Sequence, residues 1–142
     1  MQGERTPRLR QVVVDTTNAR RSAEFWRQLL GLIYREGHEP PPEGDDSAGR
    51  DWLNLRYPDG SPCLAFQQVQ QQDRPTWPEP GVSQQLHLDI TVGNISALDS
   101  AHDQALGLGA TLLYDRSDDA EEPLRVYADL DGHPFCIFVA DQ

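Results

Sequence analysis

The sequence predicts an α+β fold made of two successive βαβββ modules. Three observations carry that prediction. The phrase "DGSPCLAFQQ", starting at Asp59, is written again as "DGHPFCIFVA", starting at Asp131. Each half opens on an apolar strand pattern followed by a capped helix pattern, and a stretch rich in Pro and Gln separates the halves.

In the first half, "LRQVVVDT" reads as a strand in which Val12 and Val14 face one side while Gln11, Val13 and Asp15 face the other. Asn18 is a good N-cap, and Ala19, Ser22, Ala23, Trp26, Leu29 and Leu30 follow at helical spacing until Gly31 supplies a left-handed stop. Phe25 and Trp26, beside Leu29 and Leu30, read as core. After "LIYRE", the segment "GHEPPPEGDDSAG" reads as a mobile loop, in which Asp45 and Asp46 are solvated and His38 has no fixed partner. "DWLNLRYP" and "SPCLAFQQV" then make a hairpin around a two-residue Asp-Gly turn. The second half repeats the order: "LHLDITV", a helix capped by Asn94 with Leu98, Ala101 and Ala105, then "ATLLY", "LRVYADL" and "HPFCIFV". Asp118 and Asp119 read as solvated, His102 as a surface residue and His133 as an exposed turn residue. Pro62 and Pro134 open the return strands, where a missing N–H is tolerated. Two small sheets side by side, each with a helix on its outer face, follow from this pattern. The modules are placed at residues 9–69 and 85–140, joined by a linker at 70–84, within one domain of residues 1–142.

Composition excludes several functions. The chain has 142 residues and a formal charge of −11, from 23 acids against 12 bases, so its field repels a phosphate backbone and nucleic acid is excluded as a partner. All twelve bases are arginine, which removes Schiff-base chemistry and the lysine of a phosphate-binding loop. No apolar run is long enough to span a bilayer, and the polar start "MQGERTPRLR" is not a signal peptide, so no membrane partner is expected. Cys63 and Cys136 lie in apolar runs without CxxC spacing and read as buried thiols, which places the protein in a reducing cytoplasm. "GLGA" follows a helix instead of opening one, and no nucleophile elbow or recognisable triad is present.

Candidate site residues come from strand alternation. Leu88, Ile90 and Val92 form an apolar side, while His87, Asp89 and Thr91 share the opposite one. Period two also puts Trp52, Asn54 and Arg56 on one face of a strand, a ring, an amide and a cation suited to a small anionic or aromatic ligand.

The stretches "VVVDTTNARRSAEFWRQLLGLIY", "QLHLDITV" and "DLDGHPFCIF" together resemble the glyoxalase, bleomycin-resistance and extradiol-dioxygenase superfamily, also called the vicinal oxygen chelate superfamily, and within it the bacterial glyoxalase-like domain proteins. The resemblance implies paired curved mixed sheets that form a central cleft, with helices outside, and a homodimer that covers free edge strands. Metal-dependent members place a His or Gln early in each first strand and a Glu in each last strand. Carried over, Gln11 and His87 take the first positions, and Leu64 and Cys136, each five residues after the hairpin Asp, take the second. Trp52 and Phe66 would be apolar walls of the cleft.

That ligand set argues against a metal, because Leu64 supplies no donor and Cys136 reads as a small hydrophobe. The expectation is a small-molecule-binding protein with no cofactor. It acts as a metal-independent lyase or isomerase, with His87 as hydrogen-bonding or catalytic group. The alternatives are a divalent-metal lyase or dioxygenase of the same superfamily, and a resistance protein that sequesters a drug or metabolite without turnover.

Overall fold

The computed structural model describes residues 6–140, so the polar stretch read from Met1 begins outside the described residues. Two compact units divide between Gln70 and Gln71. In the first unit, β1 (Val12–Thr16), α1 (Ala19–Leu30), β2 (Ile33–Tyr34), a single 3-10 turn (Ala48–Arg50), β3 (Trp52–Arg56) and β4 (Pro62–Gln68) follow in order. The second contains β5 (Leu88–Val92), α2 (Ile95–Gly107), β6 (Thr111–Arg116), β7 (Leu124–Ala128) and β8 (Pro134–Val139). The sheet orders are β1-β4-β3-β2 and β5-β8-β7-β6. In each the first strand runs parallel to the last and the remaining pairs are antiparallel, so both units are mixed βαβββ sheets, as the repeat predicts.

Local chemistry sets the helix limits. The Asn18 side chain accepts from the Arg21 N–H, and Gly31, at φ 66°, ends α1 while its N–H bonds Arg27 C=O. Asn94 caps α2 in the same way, accepting from the Ala97 N–H at 2.8 Å. Phe25 and Trp26 are buried as expected and meet edge to face, with ring centroids 5.1 Å apart.

The two Asp-Gly turns match in conformation, Gly60 at φ 91° and Gly132 at φ 90°. They are longer than the two residues expected. Gly60 N–H bonds Tyr57 C=O and Tyr57 N–H bonds Ser61 C=O, and the same pair of bonds joins Gly132 to Asp129 and Asp129 to His133. That is a β-turn followed by a positive-φ glycine, a three-residue loop.

Beyond the turns the two hairpins differ by one residue. In the second, Ala128 faces Pro134, Tyr127 faces Phe135 and Val126 faces Cys136 without a break. In the first, Arg56 faces Pro62 but Leu55 faces Leu64, so Cys63 is a bulge residue with no counterpart. One extra residue turns every later side chain of β4 to the opposite face. The position equivalent to Cys136 is therefore Ala65, and Leu64 is equivalent to Phe135. Gln68 identifies the helix-covered face, since its Oε1 accepts from the Ala19 N–H at the start of α1, at 3.0 Å. Leu64 and Phe66 share that face by period two and are buried with Val14, Leu53 and Leu55. Both belong to the core under α1, a correction to their placement on a ligand face.

Other expectations also change. His133 is buried, not exposed: its N–H and that of Asp131 donate to the buried Asp129 carboxylate at 2.9 and 3.0 Å. Arg74 lies over Gly132 and donates to Leu130 C=O at 2.9 Å, so the segment after Gln70 packs on the second unit instead of running free. Burial holds the Asp129 carboxyl above its ordinary range. The acidic loop of the first unit is pinned as well. Arg20 makes a bidentate contact with Asp46 at 2.8 and 3.0 Å and donates to His38 C=O, and its guanidinium sits 5.0 Å from the centre of the Tyr34 ring. Asp45 pairs with Arg50, and Asp119 with Arg116. Cys63 and Cys136 are half-buried thiols. Among the described residues no helix is long and apolar enough to cross a membrane.

His38, expected to lack a partner, accepts the Asn54 N–H through Nδ1 at 2.9 Å and so extends the pairing of β3 past the end of β2. Burial, and then the Arg35 charge, lower its pKa, and protonating Nδ1 would also remove the acceptor. A histidine depressed in the folded state adds stability in full above the unfolded value, about 6.5, and that stability is lost as pH falls through the lower folded value. Urea unfolding across pH should show the wild type losing stability more steeply than His38→Ala below about pH 6.5; parallel curves would contradict this. Leu64→Ala should cost about 2–5 kcal/mol in the same assay, as a core truncation does. An unchanged urea midpoint would return Leu64 to an open face.

Candidate functional site

Register and hydrogen bonds define the sheet face that each helix leaves open. In the first unit it carries Asn54 and Ala65, which are opposite one another, with Trp52 two residues before Asn54. Gln11 stands one residue before β1 and reaches the same face, since Asn54 Nδ2 donates to its Oε1 at 2.9 Å. Trp52 Nε1 donates to Asn54 Oδ1 at 2.6 Å. The structure thus brings Gln11, Trp52 and Asn54 into one chain of hydrogen bonds centred on a buried amide. Arg56, half-buried, lies on the same face by period two but is no part of that chain.

In the second unit the helix side is marked by two contacts. His102 Nδ1 lies 2.8 Å from Tyr127 Oη, so this histidine is engaged and not simply on the surface, and Arg125 pairs with Asp99 of α2 at 3.1 Å. Tyr127 faces Phe135, so Cys136, the next residue, points to the open face together with its neighbours Asp89 and Val126. A bulge at Leu113 puts Tyr114 opposite Val126 and Arg116 opposite Leu124, bringing both onto this face. His87 immediately precedes β5 and, with its Nε2 3.6 Å from Asp89 Oδ1, joins the same side.

Two adjoining cavities lie on this face. The smaller, about 140 Å³, is lined by Trp77, Gln84, His87, Pro134 and Cys136. The larger, about 350 Å³, shares Trp77 and Cys136 and is completed by Pro78, Tyr114, Arg116, Leu124 and Val126. An apolar wall with few polar groups, at this size, suits a small organic molecule. Burial, and then the charges of Asp89 and Glu122, raise the Cys136 pKa, so it remains a neutral thiol with little nucleophilic character.

The donor set does not fit a resident divalent ion. The two positions expected to carry carboxylates hold Ala65 and Cys136, and among the described residues no three His, Cys, Asp or Glu side chains form a group able to hold a metal. His87, Asp89 and Cys136 lie on one face of the second sheet, whereas Leu64 and Phe66 lie on the helix-covered face of the first. Trp77, Gln84, Tyr114 and Val126 escaped the sequence reading. A lone tryptophan in "RPTWPEP" was the available signal, since so large an apolar ring in a polar, proline-rich segment needs a surface to pack on.

A glyoxalase-like domain model matches residues 11–138. No functionally curated protein matches the chain. Among solved structures, a glyoxalase/bleomycin resistance protein/dioxygenase family enzyme from Burkholderia phytofirmans is 18% identical with a TM-score of 0.66, over 94% of this chain and 98% of that one. A glyoxalase/dioxygenase from Nostoc punctiforme is 18% identical, TM-score 0.64, over 95% and 92%. The fosfomycin resistance protein FosX from Listeria monocytogenes is 10% identical, TM-score 0.67, over 96% and 95%. At these identities the structures establish a shared fold and no more. With a family match from Gln11 almost to the end of β8, on top of two mixed βαβββ sheets, the chain belongs to the glyoxalase-like domain family of the vicinal oxygen chelate superfamily.

Proposed function

We propose that this protein binds a small organic molecule on the open face of its second-module sheet, without a metal, and that His87 supplies the polar contact. The observation that supports this reading most directly is the pair of adjoining apolar cavities that share Trp77 and Cys136, with His87 at the wall of the smaller one. The His87 side chain is half-exposed and lies near Asp89, an arrangement that orients the ring while leaving it open to a ligand. Any proton transfer in the cavity falls to this imidazole, because the Cys136 thiol is held neutral and the remaining lining groups of the smaller cavity do not titrate. Lyase or isomerase chemistry is therefore proton transfer at His87 or nothing, and in the absence of such transfer the protein is a sequestering one.

A fragment screen read by amide chemical-shift mapping tests the proposal. Hits should perturb Trp77, His87 and Cys136. His87→Ala should keep the unfolding midpoint and weaken the best hit by about fivefold to tenfold, the effect of losing one hydrogen bond. Treatment with chelator should leave affinity unchanged. Binding that disappears on chelation and returns with zinc or manganese would replace this reading by a metal-dependent one.

A further inference from the structure

Arg116 is the one formally charged side chain among the residues that line the larger cavity, in a chain with 23 acids against 12 bases. It stands on β6, two residues beyond Tyr114 and opposite Leu124. Its partly exposed guanidinium donates to Asp119 from Nη2 alone, at 2.9 Å, and Nε and Nη1 have no hydrogen-bond partner among the described residues. Nη2 belongs to both bidentate edges of the fork, so a single bond there leaves one edge whole for a carboxylate. An exposed pair of this kind contributes little, and it competes weakly with a second anion. The rest of the wall suits an aromatic body. Trp77 and Tyr114 are exposed rings, and Leu124 and Val126 add aliphatic surface. Two residues along a strand separate Tyr114 from Arg116 by roughly 7 Å, which a spacer of one or two carbons between ring and carboxylate covers.

The rings leave the sign of the ligand's charge open, since their faces accept a cation as well as another ring. Asp89 and Glu122 stand near Cys136, where they oppose an anion and favour a cation to the same extent. Both are exposed and neither lines a cavity, so water and salt weaken their influence. Arg116 acts in the opposite sense at contact distance, through directed, charge-assisted bonds, and it therefore decides the sign. We infer that the larger cavity takes an aromatic carboxylate, its ring against Trp77 and Tyr114 and its carboxylate on the open edge of Arg116. The inference rests on the binding reading above and deepens it: His87 serves the smaller cavity, and Arg116 selects the charge of the ligand in the larger one.

Three probes with one ring system and different charge, titrated into the ¹⁵N-labelled full chain, test it: indole-3-acetate, the neutral indole-3-acetamide and the cationic tryptamine. Indole-3-acetate should shift the amides of Trp77, Tyr114 and Val126 and bind about fivefold to tenfold more tightly than the amide, with tryptamine the weakest. Arg116→Gln should keep the spectrum of the folded protein, because the side chain it replaces is partly exposed, and should bring the acetate down to the level of the amide. Asp119→Asn, which weakens the competing contact, should keep or increase the preference for the acetate. Equal affinities for acetate and amide, or a preference that survives Arg116→Gln, would overturn recognition by Arg116 while leaving the binding face in place. Tightest binding of tryptamine at these amides would overturn the anionic class. If no probe shifts the three amides the inference falls, and the binding reading is then judged by whether the fragment screen perturbs His87 and Cys136.

Discussion

Alternation of side chains across a sheet that is covered by a helix on one face is the constraint on which the rest of this structure depends. Each helix marks its covered face by direct contact, α1 through the Ala19 N–H on Gln68 and α2 through His102 and Asp99 on Tyr127 and Arg125. Side chains at even spacing from those contacts, such as Leu64, Phe66 and Phe135, lie on the helix-covered face, and those at odd spacing, such as Asn54, Ala65 and Cys136, on the other. The bulge at Cys63 shifts this count by one in β4 and in no other last strand, so two halves written alike expose different chemistry. Ala65 stands on the open face of one sheet and Cys136 on that of the other, and Leu64 and Phe66 are consigned to the core.

The open faces differ in polarity as a result. In the first unit, Asn54 is saturated by Gln11, Trp52 and His38, so its polar groups hold one another and rigidify the sheet. In the second unit, Trp77, Tyr114, prolines, Leu124 and Val126 line the cavities beside a neutral thiol, with His87 and Arg116 among their polar groups.

Arginine does the work of fixing the irregular segments. Arg20 ties the acidic loop to α1 through Asp46 and to the chain at His38, and Arg74 ties the segment after Gln70 to the second hairpin. At Arg20 the planar guanidinium makes two directed bonds to Asp46 at once, which the point charge of lysine does not. Exposed pairs such as Arg50 with Asp45 contribute little to stability; the half-buried Arg20 cluster, stacked on Tyr34, is the one that orders the loop. Beside it, burial, and then the Glu24 carboxylate, push the Tyr34 phenol up to about 12 against the opposing pull of Arg20, while Arg27 lowers the Glu24 pKa.

The sequence by itself determined the two modules, the order of their elements, both helix caps, the positive-φ glycines of both turns and the facing of His87 with Asp89. All of these depend on neighbours within a few residues, where periodicity and turn chemistry act directly. Tertiary structure alone decided that Cys63 would bulge, that His38 would complete the edge of β3, that Arg74 would help bury the second hairpin with His133, and that Trp77 and Gln84 would close a cavity. The bulge arises within one hairpin, but the other outcomes depend on a hydrogen bond or packing contact between residues far apart in the chain, and local pattern carries no record of which distant partner a residue will meet.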